Sequence, residues 1–249
     1  LLEQLICEQF DESEVVVING GMQTSIDFTK LPFDHLIYTG STDIARKVSS
    51  EAAKNLVPLT LELGGKSPTI LSNGASIDKS VNKILFGKLL NGGQICVSPD
   101  YSFIPEQKVE QFIETSRNFI SEKFPTIKNN PDYTSLVHQS HYERVKSYIE
   151  DARSKGAEII EINPANEDFS QQEHHKIPPT FVLNVNDDME IMKNEIFGPV
   201  MPIKPYKDFN ETVEYINKKQ KPLAMYYFGS DENEINTLLD KTSSGSLVV

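Results

Sequence analysis

His35-Leu36-Ile37-Tyr38-Thr39-Gly40-Ser41 and, further along, Leu59-Thr60-Leu61-Glu62-Leu63-Gly64-Gly65 are the two stretches on which the fold turns. Each carries a short apolar run that stops at glycine, the pattern of a strand closed by a turn residue. Between them Gly40-Ser41 opens a helical stretch through about Asn55. A strand, a helix and a second strand in that order form a β-α-β unit, which joins parallel strands through a crossover. Val15-Val16-Val17-Ile18, broken by Gly20-Gly21, reads as a further buried parallel strand upstream, after an amphipathic segment to about Phe10.

The same alternation continues downstream. Strands are expected around Thr69-Ile70-Leu71, Tyr101-Ser102-Phe103-Ile104, Pro178 to Leu183, Met201-Pro202-Ile203, Met225 to Phe228 and Ser246 to Val249. Helices are expected over about Asp78–Leu90, Thr212–Lys219 and Glu232–Leu239. Another runs from a capping box at Ser140 and Glu143 to a stop at Gly156. Asn163 to Lys176 is polar and reads as loop. The class is α/β, with largely parallel strands and crossover helices.

At 249 residues, with 38% hydrophobic and 24% charged residues, the composition is that of a globular protein with a sizeable core. A formal charge of −12 repels phosphate polyanions, which argues against nucleic acid as a partner. The apolar runs are too short for a helical membrane span. Cys7 and Cys96 are the only cysteines and lack CxxC spacing, so neither a disulfide framework nor a zinc site is expected, and a cytoplasmic location fits best. His138 with His141 and the adjacent His174-His175 lack the further ligands of a metal site.

Three blocks could carry chemistry. Cys96 lies in Asn91-Gly92-Gly93-Gln94-Ile95-Cys96, where glycines allow close backbone approach and the Cys96 N–H could donate to an oxyanion. A lone cysteine is more often an inert core residue. Glu62, near the end of an apolar strand, could be a general base with a raised pKa, or a carboxylate in a salt bridge at a strand edge. Gly40 and Ser41, at a helix start, could receive a pyrophosphate or simply cap the helix. Glu195-Ile196-Phe197-Gly198-Pro199 could set a carboxylate against a ribose and a ring against a flat cofactor; alone it is a turn.

Glu62-Leu63-Gly64-Gly65-Lys66, Gly93-Gln94-Ile95-Cys96 and Glu195-Ile196-Phe197-Gly198-Pro199 stand in the order and with the separations of the aldehyde dehydrogenase superfamily, which the chain resembles along its whole length. Tyr38-Thr39-Gly40-Ser41 resembles the family's phosphate-side Phe-Thr-Gly-Ser, and Pro99-Asp100-Tyr101, Lys221-Pro222-Leu223-Ala224 and Ser244-Gly245 resemble its class 3 or coniferyl aldehyde dehydrogenase branch. The resemblance implies a partial Rossmann-type cofactor domain, residues 1–65, followed by an α/β catalytic domain, residues 66–249. It further implies Cys96 as nucleophile and Glu62 as the base that activates water. Gly40 and Ser41 become pyrophosphate contacts, Leu63 a nicotinamide contact, and Glu195 and Phe197 contacts to ribose and ring. NAD or NADP would be the cofactor, an aromatic or medium-chain aliphatic aldehyde the substrate, and a homodimer the state of the full-length parent.

Ala45 stands where many relatives have Gly in the phosphate turn. The absence of an initiator Met and an ending inside an apolar strand lead to the expectation of a fragment, the C-terminal part of a longer enzyme and inactive alone. A non-enzymatic pseudoenzyme or partner-binding module of the same fold is the alternative. A cysteine hydrolase pairing Cys96 with a histidine is a third reading.

Overall fold

Two parallel strands build the first of two structural units in a computed structural model that describes all 249 residues, Leu1–Val249. The units are Leu1–Leu63 and Gly64–Val249. In the first, α1 (Leu2–Cys7) and α2 (Met22–Phe28) precede β1 (Leu36–Gly40), α3 (Thr42–Ala52) and β2 (Leu59–Leu63). β1 and β2 pair in parallel from Leu36 beside Leu59 to Gly40 beside Leu63, and α3 buries Ala45, Val48 and Ala52.

Val15–Ile18 is not a strand, contrary to expectation. The sheet of this unit consists of β1 and β2 alone, and an extended run without a neighbouring ladder has no partner for its backbone groups. Val16 and Ile18 are exposed.

The second unit is a seven-stranded sheet. In chain order it comprises β3 (Pro68–Leu71), α4 (Ile77–Leu89), β4 (Tyr101–Pro105), α5 (Val109–Lys123), α6 (Gln139–Ser154), β5 (Glu158–Glu161), β6 (Thr180–Leu183), α7 (Glu190–Lys193), β7 (Val200–Tyr206), α8 (Phe209–Asn217), β8 (Ala224–Phe228), α9 (Glu232–Lys241) and β9 (Ser246–Val248). The order across the sheet is β5-β6-β7-β4-β3-β8-β9, parallel throughout except for the antiparallel β5 at one edge.

Helices cover both faces, so the central strands are apolar on both sides. Ile70, Phe103 and Val182 face a core shared with α6, α7, α8 and α9. Their neighbours Leu71, Ile104 and Phe181 face a second core with α4 and α5. That alternation is the period-2 pleat of a strand buried twice.

α5 and β5 were not anticipated by the sequence pattern. The capping box was not formed either: α6 starts at Gln139, one residue before Ser140, and His138 sits at the N-cap without a side-chain cap bond. Ser140 Oγ pairs instead with His138 Nδ1 at 2.9 Å, and Glu143 accepts from Gln139 Nε2 at 2.7 Å. Gly156 does end the helix, at a left-handed φ of 90°. No helix is long and apolar enough to cross a membrane.

Candidate active site

The loops that precede β3, β4 and β7 gather at one edge of the second unit's sheet. Parallel register is the cause: Pro68 lies beside Tyr101 and Ser102 beside Ile203, so the segments leading into these strands meet.

The loop before β4 holds the thiol. α4 ends at Leu89 and the chain reverses through Asn91, Gly92 and Gly93, with φ of 51°, 63° and 75°. Gly93 is obligatory here, because a Cβ would lie 2.4 Å from the Gly198 carbonyl oxygen and 2.9 Å from that of Lys88. Gln94 locks the turn from outside. Its Nε2 donates to the carbonyls of Asn91 and Ser135 at 3.0 Å each, and its Oε1 accepts from the Val137 N–H at 2.9 Å. Tyr226 donates its hydroxyl to the Val97 carbonyl. Burial raises the Tyr226 phenol pKa, and the neighbouring Cys96 adds to the rise. Cys96 itself is exposed, not a buried core residue. Cys7, on α1, is exposed as well.

The turn before β7 holds a carboxylate. Glu195 is half-buried, and its pKa is pushed up to about 7, first by burial and then by Asp100, against the lowering effect of the Gly65 N–H. A Cβ on Gly64 would sit 2.2 Å from Glu195 Oε1, so the first glycine of the pair makes room for the carboxylate. Phe197 has a φ of 50°, a left-handed conformation that costs a non-glycine residue on the order of 1–3 kcal/mol.

Charged side chains knit the edge together. Lys66 Nζ makes a partly buried ion pair with Asp100 and donates to the carbonyls of Ile191 at 2.7 Å and Asn194 at 3.0 Å. Asp100 Oδ2 accepts from the Ile196 N–H at 2.8 Å, and the Asp100 N–H donates to Ser67 O at 2.9 Å. From α6, Arg144 donates to the carbonyls of Glu195 at 3.2 Å and Ile196 at 2.9 Å. Lys88 is buried beside them, and burial pushes its pKa down to about 8, with Asp100 opposing. Lys66 and Asp100 lay within the motifs without a reading of their own; Arg144 and Lys88 carried no local signal.

In the first unit, Glu62 is exposed near the end of β2. Leu63 ends the strand half-buried. Gly40 ends β1, and a Cβ there would meet Tyr38 Oη at 2.2 Å, because the tyrosine folds back over it. Ser41 occupies the N-cap of α3 but its hydroxyl makes no cap bond, so the cap by side chain is not made. The first-turn N–H groups of that helix have no partners within it.

A doubly covered parallel sheet, with an exposed thiol on a glycine-built turn and a half-buried carboxylate on the turn before β7, defines an α/β protein with a candidate thiol site at one end of its sheet. The model of the aldehyde dehydrogenase family matches residues 7–249, and the chain belongs to that family. It is 53% identical to a probable coniferyl aldehyde dehydrogenase of Caulobacter vibrioides, over all of this chain and 51% of the relative. The substrate-bound structure of Staphylococcus aureus AldH superposes with a TM-score of 0.89 at 34% identity, over all of this chain and 52% of the other. A Mycobacterium tuberculosis aldehyde dehydrogenase complexed with NAD+ gives 0.82 at 26%, over 92% of this chain and 48% of the other. The chain thus spans about half the length of the relatives it matches. The part matched is not the C-terminal part of the relatives, which corrects that expectation.

Proposed function

We propose that this chain belongs to an enzyme that oxidises an aldehyde to a carboxylic acid with NAD or NADP through a thioester on Cys96. The observation that carries the reading is the exposed thiol on a turn fixed by Gly93 and Gln94. Residues 1–65 are read as part of the cofactor domain and 66–249 as catalytic domain. The likeness to a probable coniferyl aldehyde dehydrogenase supports an aromatic aldehyde of that kind as substrate, ahead of a medium-chain aliphatic one.

The residues fit a dinucleotide cofactor. Ser41 has a hydroxyl unspent within its helix, and Gly64 leaves space that the Glu195 carboxylate occupies. Gly40 and Ser41 would hold the pyrophosphate, Leu63 the nicotinamide, and Glu195 and Phe197 the ribose and ring. When bound, NAD or NADP supplies the acceptor for hydride, which no side chain can provide.

Cys96 Sγ, as thiolate, attacks the carbonyl carbon; a C–S bond forms and the carbonyl oxygen takes the charge, to which the Cys96 N–H donates. After oxidation the carbon is a thioester. Glu62 then takes a proton from water, the hydroxyl adds to the carbon, and the C–S bond breaks to release the acid and restore the thiolate. The cytoplasm is the proposed location and a homodimer the proposed state of the full-length protein.

The test is cofactor reduction by the protein expressed from its complete gene, with coniferyl-type and medium-chain aldehydes. Activity abolished by Cys96→Ala and reduced by Glu62→Gln is the expected result. A protein that binds no cofactor and oxidises neither aldehyde would reduce the family membership to ancestry and leave a partner-binding module.

A further inference from the structure

We propose that Arg144 and the Lys66–Asp100 pair are positioning residues that hold the Glu195–Phe197 turn in the strained form that receives the cofactor. The inference rests on the reading above, in which Glu195 and Phe197 contact that cofactor. It adds three residues that touch neither substrate nor reacting atoms.

The argument begins with strain. Phe197 occupies a left-handed conformation, which persists only where its surroundings over-determine it. The flanking backbone is held from three sides. Arg144 takes the carbonyls of Glu195 and Ile196, Asp100 takes the Ile196 N–H, and Lys66 takes the carbonyls of Ile191 and Asn194. Five backbone groups within Ile191–Ile196 are therefore bonded to side chains that come from β3's approach, β4's approach and α6.

The bonds also fix direction. Arg144 uses two guanidinium nitrogens on two successive carbonyls, a fork that a single ammonium cannot reproduce. Its guanidinium also lies over the Tyr148 ring at 5.3 Å, which fixes the side chain before it reaches the turn. Lys66 and Asp100 neutralise one another, so their remaining hydrogen-bonding capacity is directed at backbone. With both carbonyls turned toward Arg144, the Glu195 side chain is left to lie over Gly64.

The experiment uses the full-length protein carrying Cys7→Ser, with Arg144→Gln, Arg144→Lys, Lys66→Met and Glu195→Ala added singly. Hydrogen exchange is followed over residues 194–198, the cofactor dissociation constant by nicotinamide fluorescence, and Cys96 reactivity by a thiol reagent. Arg144→Gln and Lys66→Met should raise exchange of the turn and the dissociation constant about tenfold or more, with Cys96 labelling within twofold of the parent. Arg144→Lys, which keeps one donor and most of the fold, should fall between parent and Arg144→Gln. If Glu195→Ala weakens cofactor binding while the Arg144 and Lys66 variants leave both readouts unchanged, the positioning role is overturned and the role of Glu195 stands. If none of the variants, Glu195→Ala included, alters cofactor binding, the reading of the turn as a cofactor contact falls and this inference with it. Equal acceleration of turn exchange and Cys96 labelling would also overturn it, since that marks general loosening.

Discussion

Replacing Gly93 by alanine tests the central claim about the thiol loop, that its glycine is imposed by close backbone approach. Two costs add. A φ of 75° places an L-residue in the left-handed region, about 1–2 kcal/mol above a relaxed conformation. The new Cβ would also meet the Gly198 carbonyl oxygen at 2.4 Å, its carbon at 2.8 Å and the Lys88 carbonyl oxygen at 2.9 Å, all backbone atoms that cannot rotate aside. Overpacking of that kind costs about 1–3 kcal/mol. The sum, about 2–5 kcal/mol, corresponds to a fall in Tm of roughly 5–20 °C for a chain of this size. Gly156→Ala supplies the control, because Gly156 has a φ of 90° with nothing within 4 Å of its Cβ position. It should lose only the conformational part, about 2–8 °C. Calorimetry on both variants, with thiol labelling of Cys96 in a Cys7→Ser background, measures the difference. A Gly93→Ala protein no less stable than Gly156→Ala, with unaltered labelling, would refute the packing argument.

Four further outcomes follow from the same geometry. Gln94→Leu leaves the Val137 N–H without its acceptor and should lower stability by about 1–3 kcal/mol in urea titration. Ser41→Ala should leave the melting temperature nearly unchanged, since no cap bond exists to lose, yet weaken cofactor binding by fluorescence titration. Glu195 keeps its proton to about pH 7 against an ordinary 4.5, so the folded state binds that proton more tightly than the unfolded one. Stability should therefore fall as pH rises from about 4.5 to 7, by about 3 kcal/mol before solvent screening of this half-buried group reduces it, and Glu195→Gln should flatten the slope in unfolding measured across that range. Lys88 has the opposite sign: its pKa is depressed to about 8 from 10.5, so its contribution rises with pH between those values, and Lys88→Met should abolish the rise.

Sequence periodicity was a good guide where an element is doubly covered or sharply stopped. β2 was readable to the residue, Leu59–Leu63, because Gly64-Gly65 ends it, and α6 ended where Gly156 said it should. Val15–Ile18 shows the limit, since an apolar run becomes a strand only when another strand lies beside it, and that is decided by topology. α5 went unread although Phe112, Ser116 and Ile120 form its buried stripe; the polar residues between them dilute the signal. At the site, the motifs brought out Cys96 and Glu195 but not what joins them. Lys66 and Asp100 meet because β3 and β4 run in register, Pro68 beside Tyr101, and neither residue announces that pairing locally. Arg144 acts on carbonyls 51 and 52 positions away from an unremarkable polar helix.

The placement of this edge explains why so many cations gather there. Ligands in open α/β sheets usually bind beyond the C-terminal ends of the strands, where following helices present their N-termini and their positive dipole ends. The thiol loop and the carboxylate turn lie instead at the approaches to β4 and β7, where α4 and α7 arrive with their C-terminal ends and their unsatisfied carbonyls. The helices that lead into these two segments bring no positive end with them, and cationic side chains supply positive charge at the carboxylate turn. Lys66 does so while capping α7, donating to Ile191 O and Asn194 O, and Arg144 donates in the same way to the carbonyls of Glu195 and Ile196. Lys88 and Lys66 then set the balance against Asp100 and Glu195, two cations facing two carboxylates in partly buried surroundings. Loss of Lys66 removes both the ion-pair partner of Asp100 and the donor at the end of α7, so its substitution should be felt at the carboxylate turn before it is felt in the core.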